Sequence, residues 1–426
     1  MIEYHLETRC VQSGYQPEEG QPRVLPIYQS TTFKYNSAER VGQLMDLQIE
    51  GDYYTRLSNP TLSAVERKIA DLEGGVAALL TSSGQAATFY SVINICHAGD
   101  HLISSSSIYG GTFNLFQKTL REMGIEVTFV NPDDPDEVLR QAFRPNTKLV
   151  FAETLSNPTL VVLDLSRFAA LAHEHGVPLI VDNTFPTPIN CRPIEFGADI
   201  VVHSTTKYMD GHATSLGGAI VDSGRFDWSG GRFPELTEPD ASYHGVVYTE
   251  QFGPAAYLSK ARGHLLRDLG AAASPFNAFL LNLGLETLFL RIERHCRNAE
   301  AVAAFLSQDD RISWVNYPSL PDSPYAPLVR RYLPKGTCGV ISFGIKGGRQ
   351  AAMRFMEALK LAAIVVHVAD ARTSVLHPAS TTHRQMTDEE LIHAGITPDL
   401  IRLSVGIEHI DDILCDIQNA LAVCQS

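Results

Sequence analysis

Short apolar runs alternate with stretches of helical periodicity from about residue 60 onward. The apolar runs are VAALLT, HLISSS, IEVTFV, KLVFAET, PLIVDN, DIVVHS and GGAIVD. Seven strand-like runs that alternate with helices predict an α/β fold with a mainly parallel seven-stranded sheet. Polar residues collect where several of these runs end, and in such sheets ligands bind beyond the carboxyl ends of the strands.

The remaining pattern divides the chain into three predicted parts. Residues 1–58 have weak periodicity and many turn formers, which is typical of an extended arm. Residues 59–290 contain the apolar runs of a large domain, with an inserted surface segment rich in Gly, Pro and Asp at about 222–262. One long helix, predicted over 274–308, leads into a smaller α+β C-terminal domain at 291–426. That domain contains the strand-like GVISFGI and IRLSVGIE and the helical RQAAMRFMEALKL and DDILCDIQNALAVC.

Composition narrows the class of protein without choosing a substrate. The 426 residues include 34 Lys plus Arg and 48 Asp plus Glu, which gives a net charge of −14. Proteins that bind nucleic acids usually have a basic surface, so this charge argues against that class. No apolar run is long enough to predict a membrane span, and MIEYHLETRC lacks the apolar core of a secretory signal. Seven cysteines without a CxxC pair, and histidines without metal-ligand spacing, favour a cytoplasmic protein with reduced thiols and no metal site.

Lys207 lies in STTKYMDGHA, directly after the strand predicted for DIVVHS. Most lysines are solvated cations, and position alone favours that ordinary interpretation. Ser204, Thr205 and Thr206 precede this lysine, however, and hydroxyl groups at a strand end can bind phosphate oxygens. A desolvated lysine loses its proton readily and forms Schiff bases. Pyridoxal 5'-phosphate is the cofactor that requires such a lysine and a phosphate cup together.

A pyridoxal site also requires a carboxylate and an anion-binding turn. Asp182 ends the run PLIVDN and would face the pyridine nitrogen, although by itself it could equally be a helix N-cap. Ser83, Gly84 and Gln85 begin a helix in TSSGQAATFY, where free backbone N–H groups favour a phosphate. Alone this is only a tight turn. Its combination with Asp182 and Lys207 is what indicates a pyridoxal phosphate site.

The stretch DIVVHSTTKYMDGHA resembles the lysine signature of the Cys/Met-metabolism family of pyridoxal-phosphate enzymes, which have fold type I. The resemblance spans nearly the whole chain. Ala213 departs from the Gly, Ser, Asn or His that is usual at its place, but it lies away from Lys207. The resemblance implies a pyridoxal-phosphate-dependent transferase of amino-acid metabolism that needs no metal.

The resemblance also implies roles for individual residues. Lys207 and Tyr109 would be catalytic, and Tyr109 in IYGGT would stack on the cofactor ring instead of being an ordinary core aromatic. Asn157 in ETLSNPT would lie near the cofactor 3-hydroxyl and the substrate carboxylate. Arg402 in IRLSVGIE would bind that carboxylate with two N–H groups, where otherwise it would be a surface ion-pair residue. The residues that would hold the cofactor phosphate are Ser83, Gly84, Gln85, Ser204 and Thr206.

The stretch YYTRLSNPT bears on the oligomeric state of the protein. In the family that this chain resembles, the residues matching Tyr54 and Arg56 reach the cofactor phosphate of the neighbouring subunit. The resemblance therefore implies a site shared within a dimer, and a homotetramer built from two such dimers.

Two stretches of the sequence indicate which subfamily the chain resembles. The insertion and HVADARTSVLHPASTTHRQM both resemble the O-acetylhomoserine sulfhydrylases, which implies γ-replacement on O-acetyl-L-homoserine by sulfide or a thiol. His367, expected near the substrate carboxylate and Lys207, stands where Asn is usual in sulfhydrylases and Ser in lyases. It is either a neutral replacement or a change of nucleophile or substrate. A γ-lyase, an O-succinylhomoserine enzyme, a different nucleophile and a non-catalytic binding protein remain as alternatives.

Overall fold

The large sheet in the computed structural model follows the apolar runs closely. The structure describes residues 4–381 and 397–424. The strands of the large sheet are β1 Ala77–Thr81, β2 His101–Ser105, β3 Glu126–Val130, β4 Thr147–Glu153, β5 Leu179–Asp182, β6 Ile200–His203 and β7 Gly218–Asp222. Six of these strands lie within one of the seven predicted runs, and β4 begins one residue before its run, at Thr147.

The order of the strands is β1-β7-β6-β5-β4-β2-β3. Strands β2 to β6 pair in parallel, and β7 runs antiparallel to both β6 and β1. A mainly parallel sheet is therefore confirmed, with one reversed strand. The carboxyl ends of β4, β5 and β6 meet at one edge, whereas the end of β7 lies at the opposite edge.

The apolar runs are nearly continuous because both faces of the sheet are buried. In β5, Leu179 and Val181 pack into one hydrophobic cluster and Ile180 into the other. Successive strand side chains point to opposite faces, so an unbroken apolar run fills both layers. Helices cover the two faces and connect the strands.

The helical segments range from single turns to a helix of 20 residues. The α-helices are Leu6–Gln12, Ala38–Met45, Pro60–Glu73, Gly84–Ile93, Gly110–Asn114, Asp136–Gln141, Leu165–Glu174, Thr187–Asn190, Pro234–Thr237, Tyr248–Phe252, Ala256–Lys260, Arg267–Leu269, Pro275–Glu286, Leu288–Ser307, Ala326–Tyr332, Gly348–Ala358 and Ile410–Val423. The 3-10 and π segments are Leu115–Leu120, Pro193–Phe196, Ala241–Tyr243, Gly253–Ala255, Ala261–Leu266 and Pro378–Ser380. None of the helices in the described part of the chain is long and apolar enough to cross a membrane.

A second, five-stranded sheet lies in the C-terminal part and has its own hydrophobic cluster. Its strands are β8 Ile312–Asn316, β9 Val340–Ile345, β10 Ala363–Ile364, β11 Ser374–Leu376 and β12 Leu400–Ser404. Their order is β10-β11-β12-β9-β8, with only β10 and β11 parallel. The sequence predicted β9 and β12 and missed the other three. The domain boundaries at 58 and 290 stay a prediction.

The predicted long helix is two helices, Pro275–Glu286 and Leu288–Ser307, separated at Thr287. Thr287 has φ −111° and ψ 7°, outside helical values. Its hydroxyl donates to the Gly284 carbonyl oxygen at 3.4 Å. Such a local side-chain bond competes with the helix. The leucines on both sides of Thr287 conceal the break in the apolar pattern.

Contrary to the sequence prediction, the segment at 222–262 does not lie wholly on the surface, because several of its aromatic side chains are buried. Trp228 stacks on Tyr257 with ring centroids 5.3 Å apart, and Phe233, Leu236 and Tyr248 are also buried. These side chains belong to the cluster on one face of the large sheet. The turn formers of this segment predicted exposure, but its aromatic residues determine the packing.

The N-terminal arm is docked at its beginning. Helix Leu6–Gln12 buries Cys10 completely, and the Arg9 guanidinium pairs with the Asp71 carboxylate at 2.7 Å. The expectation of an extended arm is therefore wrong for this first helix. Further along the arm, Val24, Tyr28 and Tyr54 remain largely exposed.

Candidate active site

The loops that follow β5 and β6 meet at the carboxyl edge of the large sheet. Val181 pairs with Val201 and Asp182 with Val202, so the two strands end side by side. The Ser204 backbone N–H donates to the Thr184 hydroxyl at 2.8 Å and ties the two loops together. The sequence motifs that contain Asp182 and Lys207 therefore lie at the same edge, as the parallel pattern predicted.

Lys207 is mostly buried and lies beside a histidine. Its Nζ is 3.5 Å from His367 Nδ1. Burial, and then the positive charge of Arg402, lower the pKa of Lys207 to about 8, although the carboxylate of Asp370 acts in the opposite direction. A substantial fraction of the amine is therefore neutral near physiological pH, as a lysine needs to be for nucleophilic or general-base work.

Asp182 lies beside a second buried carboxyl group that the sequence analysis missed. Glu153 at the end of β4 is the register partner of Asp182. Burial raises the pKa of both groups, and Asp182 raises that of Glu153 further, so the pair holds a proton on Glu153. Asp182 Oδ1 accepts from the Thr184 N–H at 2.9 Å, which favours the carboxylate form there. The acid that ends the apolar run KLVFAET was the available signal for Glu153.

Glu153 also fixes the loop that contains Tyr109. Its Oε1 accepts from the Tyr109 N–H at 2.6 Å, and it accepts a further backbone bond from Asn157. Tyr109 is half exposed, at 50%, so its ring is not an ordinary core aromatic. Glu153 therefore connects two predicted site residues to Asp182.

A second missed pair is fully buried next to these groups. His203 follows Val202, the register partner of Asp182, and its Nε2 lies 2.6 Å from Glu73 Oε1. The Asn183 amide donates to the same Glu73 oxygen at 2.9 Å. These contacts hold the ends of β5 and β6 against the helix Pro60–Glu73.

The start of helix Gly84–Ile93 forms a cradle against the lysine loop. The Ser83 hydroxyl accepts from the Ala86 N–H at 3.1 Å and caps the helix. A Cβ on Gly84 would lie 2.5 Å from the Ser204 Cβ, so only glycine permits this approach. Free N–H groups and the helix dipole favour an anion at this point.

Gln85 and Thr206 are both engaged within the chain. Thr112 donates its hydroxyl to Gln85 Oε1 at 3.3 Å. The Thr206 hydroxyl donates to the Gly217 carbonyl at 3.2 Å and accepts from the Gly217 N–H at 3.1 Å. Thr206 thus fixes the loop, and its proton is directed to Gly217.

Arg402 lies on β12 of the small sheet and contacts the loop that follows β4 of the large sheet. It is 7% exposed, and burial lowers its pKa to about 10. Its Nη1 donates to Asn157 Oδ1 at 3.3 Å and its Nη2 to the Val366 carbonyl at 3.2 Å. A buried arginine held by two neutral acceptors is an uncompensated cation, which suits a carboxylate ligand. Arg402, Asn157, His367 and Lys207 therefore form one group.

Tyr54 and Arg56 lie elsewhere in the same chain. The Arg56 guanidinium lies 5.2 Å from the Tyr54 ring centroid and donates to the Arg267 carbonyl. In the described ranges no hydrogen bond joins either residue to Ser83, Ser204 or Thr206. The structure of one chain does not bring them to Lys207.

Two further features of the sequence, Ala213 and the HPAS–TTH stretch, add little to the candidate site. Ala213 has φ +56°, a conformation that Gly and Asn adopt more readily, and it lies outside the group around Lys207. Thr382 and His383, the end of the HPAS–TTH stretch, lie outside the described residues. Among the residues that are described, no group of three or more His, Cys, Asp or Glu could hold a metal ion.

The group at this edge fits pyridoxal phosphate. A helix N-terminus closed by Gly84 offers N–H groups to a phosphate, and a lysine with a lowered pKa lies on the loop after β6. Within the described ranges, the buried Asp182 carboxylate has no cationic hydrogen-bond partner. The fold and this group of residues define a fold-type-I pyridoxal-phosphate enzyme.

The chain belongs to the family described as Cys/Met metabolism PLP-dependent enzyme, whose sequence profile matches residues 7–422. It is 48% identical to the homocysteine synthase of Schizosaccharomyces pombe, over 98% of each chain. It is 46% identical to the O-acetyl-L-homoserine sulfhydrylase of Leptospira meyeri, over 97% of this chain and 96% of that one.

A solved structure also agrees in fold. A Campylobacter jejuni protein assigned as an O-acetylhomoserine (thiol)-lyase superposes with a TM-score of 0.95 at 37% identity, covering 98% of this chain and 100% of that chain. That protein contains N'-pyridoxyl-lysine-5'-monophosphate. Fold type I and dependence on pyridoxal phosphate are therefore confirmed for this chain.

Proposed function

We propose that the chain catalyses γ-replacement on O-acetyl-L-homoserine with sulfide or a thiol, giving homocysteine or methionine and acetate. The observation that carries the proposal is full-length similarity, at 48% and 46% identity, to proteins named for homocysteine synthesis and O-acetylhomoserine sulfhydrylation. The group around Lys207 supports it, because Arg402 and Asn157 offer a carboxylate site next to a lysine with a lowered pKa.

The residues of the chain divide the work of this reaction. Arg402 binds the substrate carboxylate through its guanidinium N–H groups, and Asn157 orients Arg402. Asp182 would pair its negative charge with the pyridine nitrogen of the cofactor, and the N-terminus of helix Gly84–Ile93 would hold the cofactor phosphate. When bound, the cofactor supplies an electron sink for the bond broken at the substrate α-carbon.

Lys207 moves the protons. Its neutral Nζ accepts the proton from the substrate α-carbon and would pass that proton to the bound cofactor, which leaves Nζ neutral again. The same Nζ then accepts a proton from the β-carbon, so one base on one face serves each transfer. Acetate leaves the γ-carbon with the electrons of the C–O bond, and the sulfur of sulfide forms the new bond there. The protons return from Nζ in the reverse order, so the net change exchanges acetate for a thiol group.

Product analysis tests this function directly. With O-acetyl-L-homoserine and sulfide, we expect homocysteine and acetate in equal amounts, and with methanethiol we expect methionine. Chromatography of the products measures both. Homocysteine formation must require both the ester and sulfide, and omission of either one is the control.

Other product patterns would favour the alternatives. Dominant 2-oxobutanoate and ammonia at saturating sulfide would make the chain a γ-lyase. Turnover of only the succinyl ester would keep the chemistry and change the substrate. Inertness toward sulfide combined with turnover of another nucleophile would direct attention to His367, and the variant His367→Asn would then be the first to assay with sulfide.

We further propose a cytoplasmic homotetramer in which each site is completed by a neighbouring subunit. The arm exposes Val24, Tyr28 and Tyr54, large apolar side chains whose exposure is typical of an interface. Arg56 is held away from Lys207 within its own chain, so it would complete a site only in a partner. The free, mostly buried cysteines agree with a reducing compartment.

Mixing two inactive variants tests the shared site. We expect Arg56→Ala and Lys207→Ala chains to be nearly inactive alone and to regain up to about a quarter of wild-type activity after subunit exchange. In a mixed dimer, one site would then combine an intact Lys207 with an intact Arg56. Exchange is verified with differently tagged chains. A mixture that remains as inactive as its parents after verified exchange contradicts the proposal.

A further inference from the structure

His367 lies on a short segment that is fixed to the small sheet. The Val366 carbonyl accepts from Arg402 Nη2, and the Ala369 N–H donates to Ser404 Oγ at 2.8 Å. Ala369 is fully buried with φ +69°, a left-handed conformation that is unfavourable for alanine. Its surroundings therefore impose this conformation, and strained backbone of this kind clusters at functional sites. The position of His367 beside Lys207 is thus built into the fold.

The His367 imidazole lies between two groups of opposite charge. Its Nδ1 is 3.5 Å from Lys207 Nζ, and its Nε2 is 3.7 Å from Asp370 Oδ2. Asp370 is held in turn, because its Oδ1 accepts from the Arg372 N–H at 2.7 Å. A neutral imidazole with its proton on Nε2 accepts from the lysine at Nδ1 and directs its N–H toward the carboxylate. Lysine, imidazole and carboxylate therefore lie in series, with a hydrogen bond between the first two and an ion-pair distance of 3.7 Å, without a hydrogen bond, between the last two.

The charges around His367 favour the neutral ring. Burial lowers the pKa of His367, the positive charges of Lys207 and Arg402 lower it further, and Asp370 and Asp210 oppose them. While Lys207 is an ammonium ion, a second cation beside it is unfavourable. The imidazole can hold a proton most easily when Lys207 has released one.

We propose that His367 is a positioning residue for Lys207. The His367 imidazole accepts a hydrogen bond from the lysine ammonium at Nδ1 and exchanges one proton with it. In the exchange an Nζ–H bond breaks and an Nδ1–H bond forms, with no change in electron count. The products are a neutral amine and an imidazolium whose Nε2–H is directed at Asp370. The inference rests on Lys207 being the cofactor lysine of the proposed function, but not on the ester or the nucleophile.

The test uses the full chain after removal of the cofactor and needs neither substrate. The rate at which pyridoxal phosphate restores the visible absorption band is measured against pH, because the rate rises as Lys207 loses its proton. We expect the midpoint to fall by about one pH unit in His367→Leu, the effect of losing one hydrogen bond to an ammonium ion. In His367→Asn the amide oxygen replaces Nδ1 as acceptor, and we expect a midpoint close to that of the wild type.

Two further variants separate this role from a general structural one. Asp370→Asn should lower the midpoint in the wild-type background and lower it less in His367→Leu or His367→Asn, because Asp370 acts partly through the imidazole. The matched control is His244→Asn, which removes a histidine whose side chain is 82% exposed and leaves the midpoint unchanged. An unchanged or raised midpoint in His367→Leu, or equal Asp370→Asn shifts in all backgrounds, would overturn the inference.

Failure of this inference is distinguishable from failure of the proposed function. If the product assay finds no homocysteine while the midpoint shifts as described, the positioning role stands and the reaction assignment fails. If homocysteine forms while the midpoint does not move, the reverse holds. If His367→Leu does not fold, His367→Asn and Asp370→Asn carry the same comparison with smaller changes in volume.

Discussion

Replacement of Lys207 by alanine is expected to lower kcat for homocysteine formation at least about 10³-fold, because it removes the group that we assign to each proton transfer. The fold should survive, since the lysine lies on a loop and its buried charge costs stability in the free protein. Steady-state assays with O-acetyl-L-homoserine and sulfide measure the effect, and circular dichroism verifies the fold. A variant with more than a tenth of wild-type turnover would exclude Lys207 from this role.

The stability of the cofactor-free chain gives an independent check on Lys207. Its pKa is about 8 in the folded chain against an ordinary 10.5, so the unfolded chain binds more protons between these values. The cost of the buried ammonium is therefore fully present below pH 8 and disappears as the pH rises toward 10.5. We expect cofactor-free Lys207→Met to be more stable than the wild type by about 2 kcal/mol at pH 7, a difference that shrinks above pH 8. Urea unfolding at several pH values measures it.

The sequence predicted the large sheet because its strands are buried on both faces. An apolar run such as that of β5 has no polar alternation to confuse it with a surface strand, and every run was bounded by turn formers or helical stretches. Parallel pairing of neighbouring strands then predicts that Asp182 and Lys207 lie at one edge of the sheet. That inference depends only on strand direction.

Elements that depend on tertiary packing were missed. The two-residue β10 and three-residue β11 are too short to give a period, and the break at Thr287 depends on one side-chain bond to Gly284. The segment at 222–262 has the composition of a loop, yet part of it joins the core because its aromatic residues pack into the cluster that covers one face of the large sheet. None of these outcomes follows from local propensity alone.

The candidate site shows the same division. The residues of the motifs can be predicted from the sequence alone. The pairing of Glu153 with Asp182, and the proton that Glu153 keeps, depend on the β4–β5 register, which the sequence does not specify. His367 was conspicuous as an unusual residue, but its 3.5 Å contact with Lys207 and its link to Asp370 required the positions of two sheets. The structure shows contacts between segments that are distant in the sequence, and the sequence alone does not predict these contacts.

Asp182 has a distinct electrostatic role within the carboxyl pair. It and Glu153 are buried neighbours, so both cannot be charged without a nearby cation. Glu153 is the member that keeps the proton, since the charge of Asp182 raises the pKa of Glu153, whereas two hydrogen bonds with Thr184 act to lower that of Asp182. A protonated pyridine nitrogen placed opposite Asp182 would pair with its charge, and a buried ion pair in this setting is lost entirely when one partner is neutralised.

Asp182→Asn is therefore expected to weaken pyridoxal phosphate binding and to lower kcat, each about a hundredfold, as removal of one partner of a buried ion pair costs roughly 3 kcal/mol. Glu153→Gln should have a much smaller effect, because glutamine keeps the oxygen that accepts from the Tyr109 N–H and the group is already uncharged. Fluorescence titration with the cofactor and steady-state kinetics measure both quantities. The matched control is Asp222→Asn, a buried carboxyl at the end of β7 with a pKa raised by burial to about 7, which lies at the opposite edge of the sheet and should leave cofactor affinity unchanged. Equal losses in Asp182→Asn and Asp222→Asn would show that the effect comes from the fold and not from a charge opposite the cofactor.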